Sequence, residues 1–196
     1  TYHNNSPHTL SYLWIQLDRN RFMPKSLGHQ SSETPNLAGT DLRGLDRILQ
    51  MERFDGGFKI DSIVDDRGAV LKKRVVDTMM KVVLPSPLKP GQKFTYRIAW
   101  HYRLNDSERL WGRSGFEKYK DGNKIFEIAQ WFPRVAAYTD MRGWQNKAFL
   151  GRGEFALEFG NYRVAITVPD DHVVSATGVL KNPEQCLKKS WRERLK

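Results

Sequence analysis

The sequence predicts an all-β fold, mostly antiparallel, with at most one or two short helices. Three observations predict it. Apolar and aromatic residues recur with a period of two in several segments, turn signals separate those segments, and only one segment has helical spacing. Successive strand side chains point to opposite faces, so a period of two marks a half-buried strand.

Taken in order, residues 24–39 are rich in Ser, Pro, Gly and polar side chains and read as a long loop. Residues 41–51 place Leu42, Leu45, Ile48 and Leu49 at helical spacing, with Asp41 positioned to cap. Residues 58–64 and 69–76 flank Asp65-Asp66-Arg67-Gly68 and read as a hairpin. A short strand is expected at 81–84, followed by a turn at Pro90-Gly91. In the strand 94–103, Phe94, Tyr96, Ile98, Trp100 and Tyr102 face inward, while Thr95, Arg97, Ala99, His101 and Arg103 face outward. Residues 125–129 form a further strand. Residues 155–159 and 162–168 alternate around Gly160-Asn161, which reads as a tight hairpin. A last short strand is expected at 173–177.

At 196 residues the chain is read as one domain, 1–196; a domain of that size buries roughly 70% of its unfolded surface and needs no staples. Its formal charge is +10, from 32 basic and 22 acidic residues. The basic residues are dispersed, and the densest runs, Lys72-Lys73-Arg74 and Lys188-Lys189, are short. No nucleic-acid partner is expected from that pattern. No run approaches the roughly 20 apolar residues of a membrane-spanning helix, so no transmembrane segment is expected. The chain opens on Thr1-Tyr2-His3 without Met and closes on Glu193-Arg194-Leu195-Lys196, which suggests a fragment of a larger protein.

Chemistry-bearing residues are sparse. His3, His8, His29, His101 and His172 show no metal-ligand spacing, and H-E-x-x-H is absent. Asp65-Asp66 and Asp170-Asp171 have the turn preference of aspartate to explain them. Cys186 is the only cysteine and lacks a nucleophile's neighbours. Gly112-Arg113-Ser114-Gly115 and Gly151-Arg152-Gly153 read as turns rather than phosphate loops. No catalytic residue and no metal ligand is assigned to this chain.

One loop stands apart. Strand 125–129 runs into Gln130-Trp131-Phe132-Pro133. Pro133 lacks an N–H and interrupts a ladder, and it pushes Phe132 toward extended geometry. Trp131, Phe132 and Pro133 act as a brace. Gln130 either caps the loop in the interior or presents its amide to a ligand, because an amide pairs with peptide backbone or with an ammonium group.

At this loop the sequence resembles the N-terminal β-domain of the gluzincin zinc aminopeptidases, the aminopeptidase N and leukotriene hydrolase family, in its bacterial branch. The likeness rests on Tyr2-His3-Asn4-Asn5-Ser6-Pro7-His8-Thr9-Leu10 and on Ala129-Gln130-Trp131-Phe132-Pro133-Arg134. It extends through Gly143-Trp144-Gln145-Asn146, Gly151-Arg152-Gly153-Glu154-Phe155, Ile166-Thr167-Val168-Pro169, Ala176-Thr177-Gly178 and Asn182-Pro183.

The resemblance implies a saddle-like, mostly antiparallel β-domain, the first and non-catalytic domain of a multidomain metallopeptidase. Zinc, its H-E-x-x-H ligands and the general base would lie in a downstream thermolysin-like domain, the chain's expected partner along with the peptide substrate. This domain's share would be to cover the cleft and position the peptide, with Gln130 as its substrate-binding residue. The family's second polar position in that loop falls here on Phe132, which cannot accept a bond from the substrate's ammonium. Members of the branch are often exported, so an extracytoplasmic location is expected. The alternative is a stand-alone β-sandwich module binding carbohydrate or protein, motivated by six tryptophans and seven tyrosines.

Overall fold

Pairing partners, more than local propensity, decide where the strands of this chain fall. The computed structural model describes residues 1–31, 39–110, 112–151 and 156–194. It is 31% strand in antiparallel sheets and 17% helix, an all-β fold with few short helices. Two compact units are present, Thr1–Phe159 and Gly160–Lys196.

In the first unit, β1 (Tyr2–His3) is followed by β2 (Leu10–Gln16), a 3-10 turn at Asp18–Phe22, α1 (Leu27–Gln30) and α2 (Leu42–Arg53). Then come β3 (Lys59–Asp65), β4 (Lys73–Val76), β5 (Met79–Leu88), β6 (Lys93–Phe94) and β7 (Tyr96–His101). The hairpin β8 (Gly115–Lys118) and β9 (Lys124–Glu127) precedes β10 (Arg134–Val135), β11 (Tyr138–Thr139) and β12 (Gly143–Trp144).

The largest sheet has the order β10-β2-β5-β4. Its middle strands pair Leu13 with Val82 and Ile15 with Met80, and these four side chains are 0–1% exposed. Each such side chain contributes about 1.5–3 kcal/mol by burial. The β2–β5 register shifts between Leu10 and Tyr12, opposite the stretch of β5 that holds Pro85 and Pro87, residues with no N–H for a ladder.

A second sheet pairs β3 with β7, setting Ile63 opposite Ile98. Ile15, Leu17, Phe58, Ile63, Leu71, Met80 and Val82 form the main core, and Phe94, Tyr96, Ile98, Trp100 and Tyr102 pack against it. The aromatic stripe expected on residues 94–102 is therefore an inward face that runs from the end of β6 through β7 to Tyr102. A second cluster joins Leu10, Leu13, Leu84 and Leu88 to Tyr2, Tyr138 and Trp144.

The expected helix is α2, and the Asp41 carboxylate accepts from Gly44 N–H at 2.8 Å at its start. Its apolar stripe stays exposed at Leu42, Leu45 and Leu49. The loop expected over 24–39 holds the short α1, and residues 32–38 lie outside the described residues.

Two expectations need correction. The turn at Asp65–Gly68 forms: Asp65 Oδ1 accepts from Arg67 N–H and Ala69 N–H, and Gly68 takes φ +87°. Its two arms, however, stay together only near the turn, through Asp65 N–H to Ala69 C=O at 2.9 Å, the Val64–Val70 bridge and Leu71 N–H to Ile63 C=O at 3.0 Å. Beyond that, β3 pairs with β7 and β4 with β5. Longer, better-buried partners elsewhere in the chain outcompete the local hairpin.

The hairpin expected over 155–168 has no ladder among the described residues. Phe155 lies outside the described residues, Leu157 bridges Ala136, and Glu158 Oε1 accepts from Tyr138 N–H at 2.9 Å. The first arm is thus engaged with Ala136 and with Tyr138 of β11. Residues 162–168 and 173–177 carry no ladder among the described residues, and Val164, Ile166 and Val173 are exposed. The second unit holds α3 (Pro183–Cys186) and α4 (Lys189–Arg194), with Arg192 paired to Glu184.

Candidate functional site

The N-terminal segment, residues 2–10, is a clasp. Asn4 is fully buried; its Nδ2 donates to the carbonyls of His8 at 2.8 Å and Leu88 at 3.0 Å. Its Oδ1 accepts from Ser6 N–H at 3.1 Å and Ser6 Oγ–H at 2.7 Å. Asn4 N–H and C=O bond to Gln92 and Gly91 in the Pro90-Gly91 turn. Every polar atom of this asparagine is occupied within the protein, so it serves structure.

The loop after β9 is built differently. Ser114, 3% exposed, donates its hydroxyl to Ala129 C=O at 2.7 Å and accepts from Ala129 N–H at 2.7 Å. Trp131 C=O accepts from Trp100 Nε1–H at 3.1 Å, and the two indoles lie 6.2 Å apart. Phe132 packs on Trp131 at 4.8 Å between ring centroids, and Pro133 is buried. Directly after the proline, β10 pairs Arg134 with Gln16 and Val135 with Ile15, and Ala136 N–H reaches Trp14 C=O at 2.9 Å. The loop is pinned at 129, 131, 134 and 136.

Gln130 sits between two of these pins with φ +52°, one of two non-glycine residues with positive φ among the described residues. A left-handed conformation costs an ordinary L-residue about 1–2 kcal/mol. The flanking bonds at Ala129 and Trp131 hold it there. Its half-buried side chain makes no hydrogen bond among the described residues, so among them it caps no loop. An amide in this state offers one acceptor oxygen and an NH2 donor pair, the complement of a peptide unit. No titratable group lies within residues 129–133, so the loop is suited to binding and not to proton transfer.

Arg134 closes the far end by pairing with Asp18, which is 2% exposed. Burial pushes the Asp18 carboxyl above its ordinary range; Arg134 pulls it down, and burial prevails. Sequence reading found Gln130 and its aromatic brace but missed Ser114, Trp100 and Asp18, because those partners lie 15 to 116 positions away. It also missed the left-handed turn, since neither Gly nor Asn marks the position.

The remaining chemistry-bearing residues are dispersed. His3 bonds to Gly91 C=O, His8 to Tyr138, His29 to Glu52, His101 to Asp61 and His172 to Asp171. Cys186 is exposed and free. Among the described residues no group of three or more His, Cys, Asp or Glu converges to hold a metal, and no helix is long and apolar enough to cross a membrane. Comparisons with protein-family models, with curated proteins and with solved structures return no match.

Proposed function

We propose that this chain is the N-terminal, non-catalytic β-domain of a zinc metallo-aminopeptidase. It covers the cleft of a separate thermolysin-like domain and helps position the peptide substrate. The observation that carries the reading is Gln130: a strained backbone held by bonds on both sides, with a side-chain amide left unspent. Strain of this kind is tolerated where a side chain must be presented, and an amide held in register with a peptide bond contributes orientation to the reaction. Phe132 offers no acceptor, so the substrate's ammonium is held by the catalytic domain. The described residues of this chain do not fit a zinc site.

The test is a division of labour. The 196-residue chain alone should bind no stoichiometric zinc and cleave no aminoacyl anilide. The continuous reading frame beyond Lys196 should encode H-E-x-x-H with a following glutamate, and the longer protein should hydrolyse the same substrates. Zinc-dependent hydrolysis by the isolated chain, or a continuation without those ligands, contradicts the proposal.

A further inference from the structure

Arg21 borders a cleft that the proposed function does not use. The cleft encloses about 60 Å³ and is lined by Phe22, Met23, Met51, Phe54 and Leu110, with Arg21 and His29 as its polar members. The position of Arg21 is fixed: its C=O accepts from Ser26 Oγ–H at 2.9 Å. Its guanidinium lies 5.3 Å from the Phe22 ring centroid and 5.5 Å from that of Phe149. Gly151, at φ +91°, approaches so closely that a Cβ there would stand 2.7 Å from Arg21 Cζ. The guanidinium is therefore walled by rings and backbone.

Among the described residues Arg21 makes no ion pair and no side-chain hydrogen bond. Its charged neighbourhood has the wrong sign: burial depresses its pKa first, and the Arg113 cation depresses it further. Arg19 shares the Phe22 ring at 4.8 Å and is 2% exposed, with Nε and Nη1 buried and without partners. Among the described residues, the carboxylates of Asp18 and Glu52 are engaged elsewhere, with Arg134 and with His29. A half-desolvated guanidinium without an anion carries a desolvation cost that an incoming carboxylate offsets through charge-assisted, bidentate bonds. The apolar lining then selects what the carboxylate is attached to.

We propose that this cleft binds a carboxylate borne on a short apolar group. Arg21 pairs with the anion, and Phe22, Met23 and Phe54 take the apolar part. The proposal is independent of the peptidase reading. Two sources share this chemistry: a free short-chain acid, and the C-terminal carboxylate of a peptide ending in a small apolar residue.

The experiment follows the Arg21 Nε–H resonance of the 15N-labelled 196-residue chain during titration. The titrants are isovalerate, isovaleramide, acetyl-Gly-Leu with a free carboxylate, and the same dipeptide amidated. A saturable shift from a carboxylate and none from its amide supports the site. Isovalerate alone marks the free acid, and the dipeptide alone marks the peptide terminus. Arg21→Gln lacks that Nε–H and is followed instead through the backbone amides of the cleft residues Phe22 and Met23; it should weaken binding about tenfold or more, as expected for a lost charge-assisted bond. No saturable shift from either carboxylate, or equal shifts from acids and amides, overturns the proposal. The acid–amide comparison uses the unmodified chain and does not depend on the variant folding.

Discussion

In a Gln130→Gly variant the loop should fold about as stably as the native chain while losing the presented amide. Relief of the left-handed backbone at φ +52° gains about 1 kcal/mol. Glycine's extra freedom in the unfolded chain costs about 0.5–1 kcal/mol. No hydrogen bond of the side chain is lost, since it makes none among the described residues. The sum lies within about 0.5 kcal/mol of zero, which moves the midpoint of a chain this size by no more than about 2 °C. Gln130→Ala keeps the strained backbone and should be equal or slightly less stable than glycine at this position. Urea and thermal unfolding, followed by tryptophan fluorescence and circular dichroism, measure both. A loss above about 2 kcal/mol in the glycine variant would refute the reasoning, because effects of that size require a named structural loss. The Gln130 side chain would then hold the loop together, and it would not be free for a ligand.

Three further outcomes follow from the packing. Asn4→Ala removes the bonds to His8, Leu88 and Ser6 and should cost about 2–4 kcal/mol in urea unfolding, at about 1 kcal/mol per bond. Arg134→Leu leaves Asp18 buried without its cation and should cost about 3–5 kcal/mol at neutral pH. Because burial raises the Asp18 carboxyl, its protonated form suits the fold. That contribution is present at low pH and lost as the pH rises through the folded value, so the variant's deficit should shrink on acidification. Tyr2 is pushed up to about 12 by burial, assisted by Glu158 and Tyr138. Its contribution is fully present below pH 10 and lost as the pH rises toward 12. Tyr2→Phe should therefore flatten the alkaline limb of the stability curve and remove one late-ionising phenol from the phenolate titration.

The inward aromatic face of β7 was legible because its alternation is uninterrupted from Phe94 to Tyr102, and α2 was legible because Asp41 caps a run of leucines. The central strand β2 was not. Leu10, Leu13, Ile15 and Gln16 are buried on both faces, so no period of two marks it. Residues 162–168 failed in the opposite way. Their alternation states what a partner would bury, but the arm expected to pair with them is bound to Ala136 and Tyr138. At the candidate site, the residue type of Gln130 was readable, whereas its backbone strain and its anchors at Ser114 and Trp100 arise from contacts distant in sequence. The polar segment around Asn4 resolves into a clasp in which every polar atom of Asn4 is bonded internally.

The central claim is that Gln130 acts on a peptide and not on the fold. Its most direct test is Gln130→Ala in the full enzyme to which this chain is proposed to belong, measured by kcat/KM on short peptides alongside zinc content and melting temperature. Loss of one hydrogen bond to the peptide predicts a fall of about three- to tenfold in kcat/KM, with zinc content and melting temperature unchanged. Unchanged kinetics with a melting temperature lowered by many degrees would contradict the account and make Gln130 a structural residue.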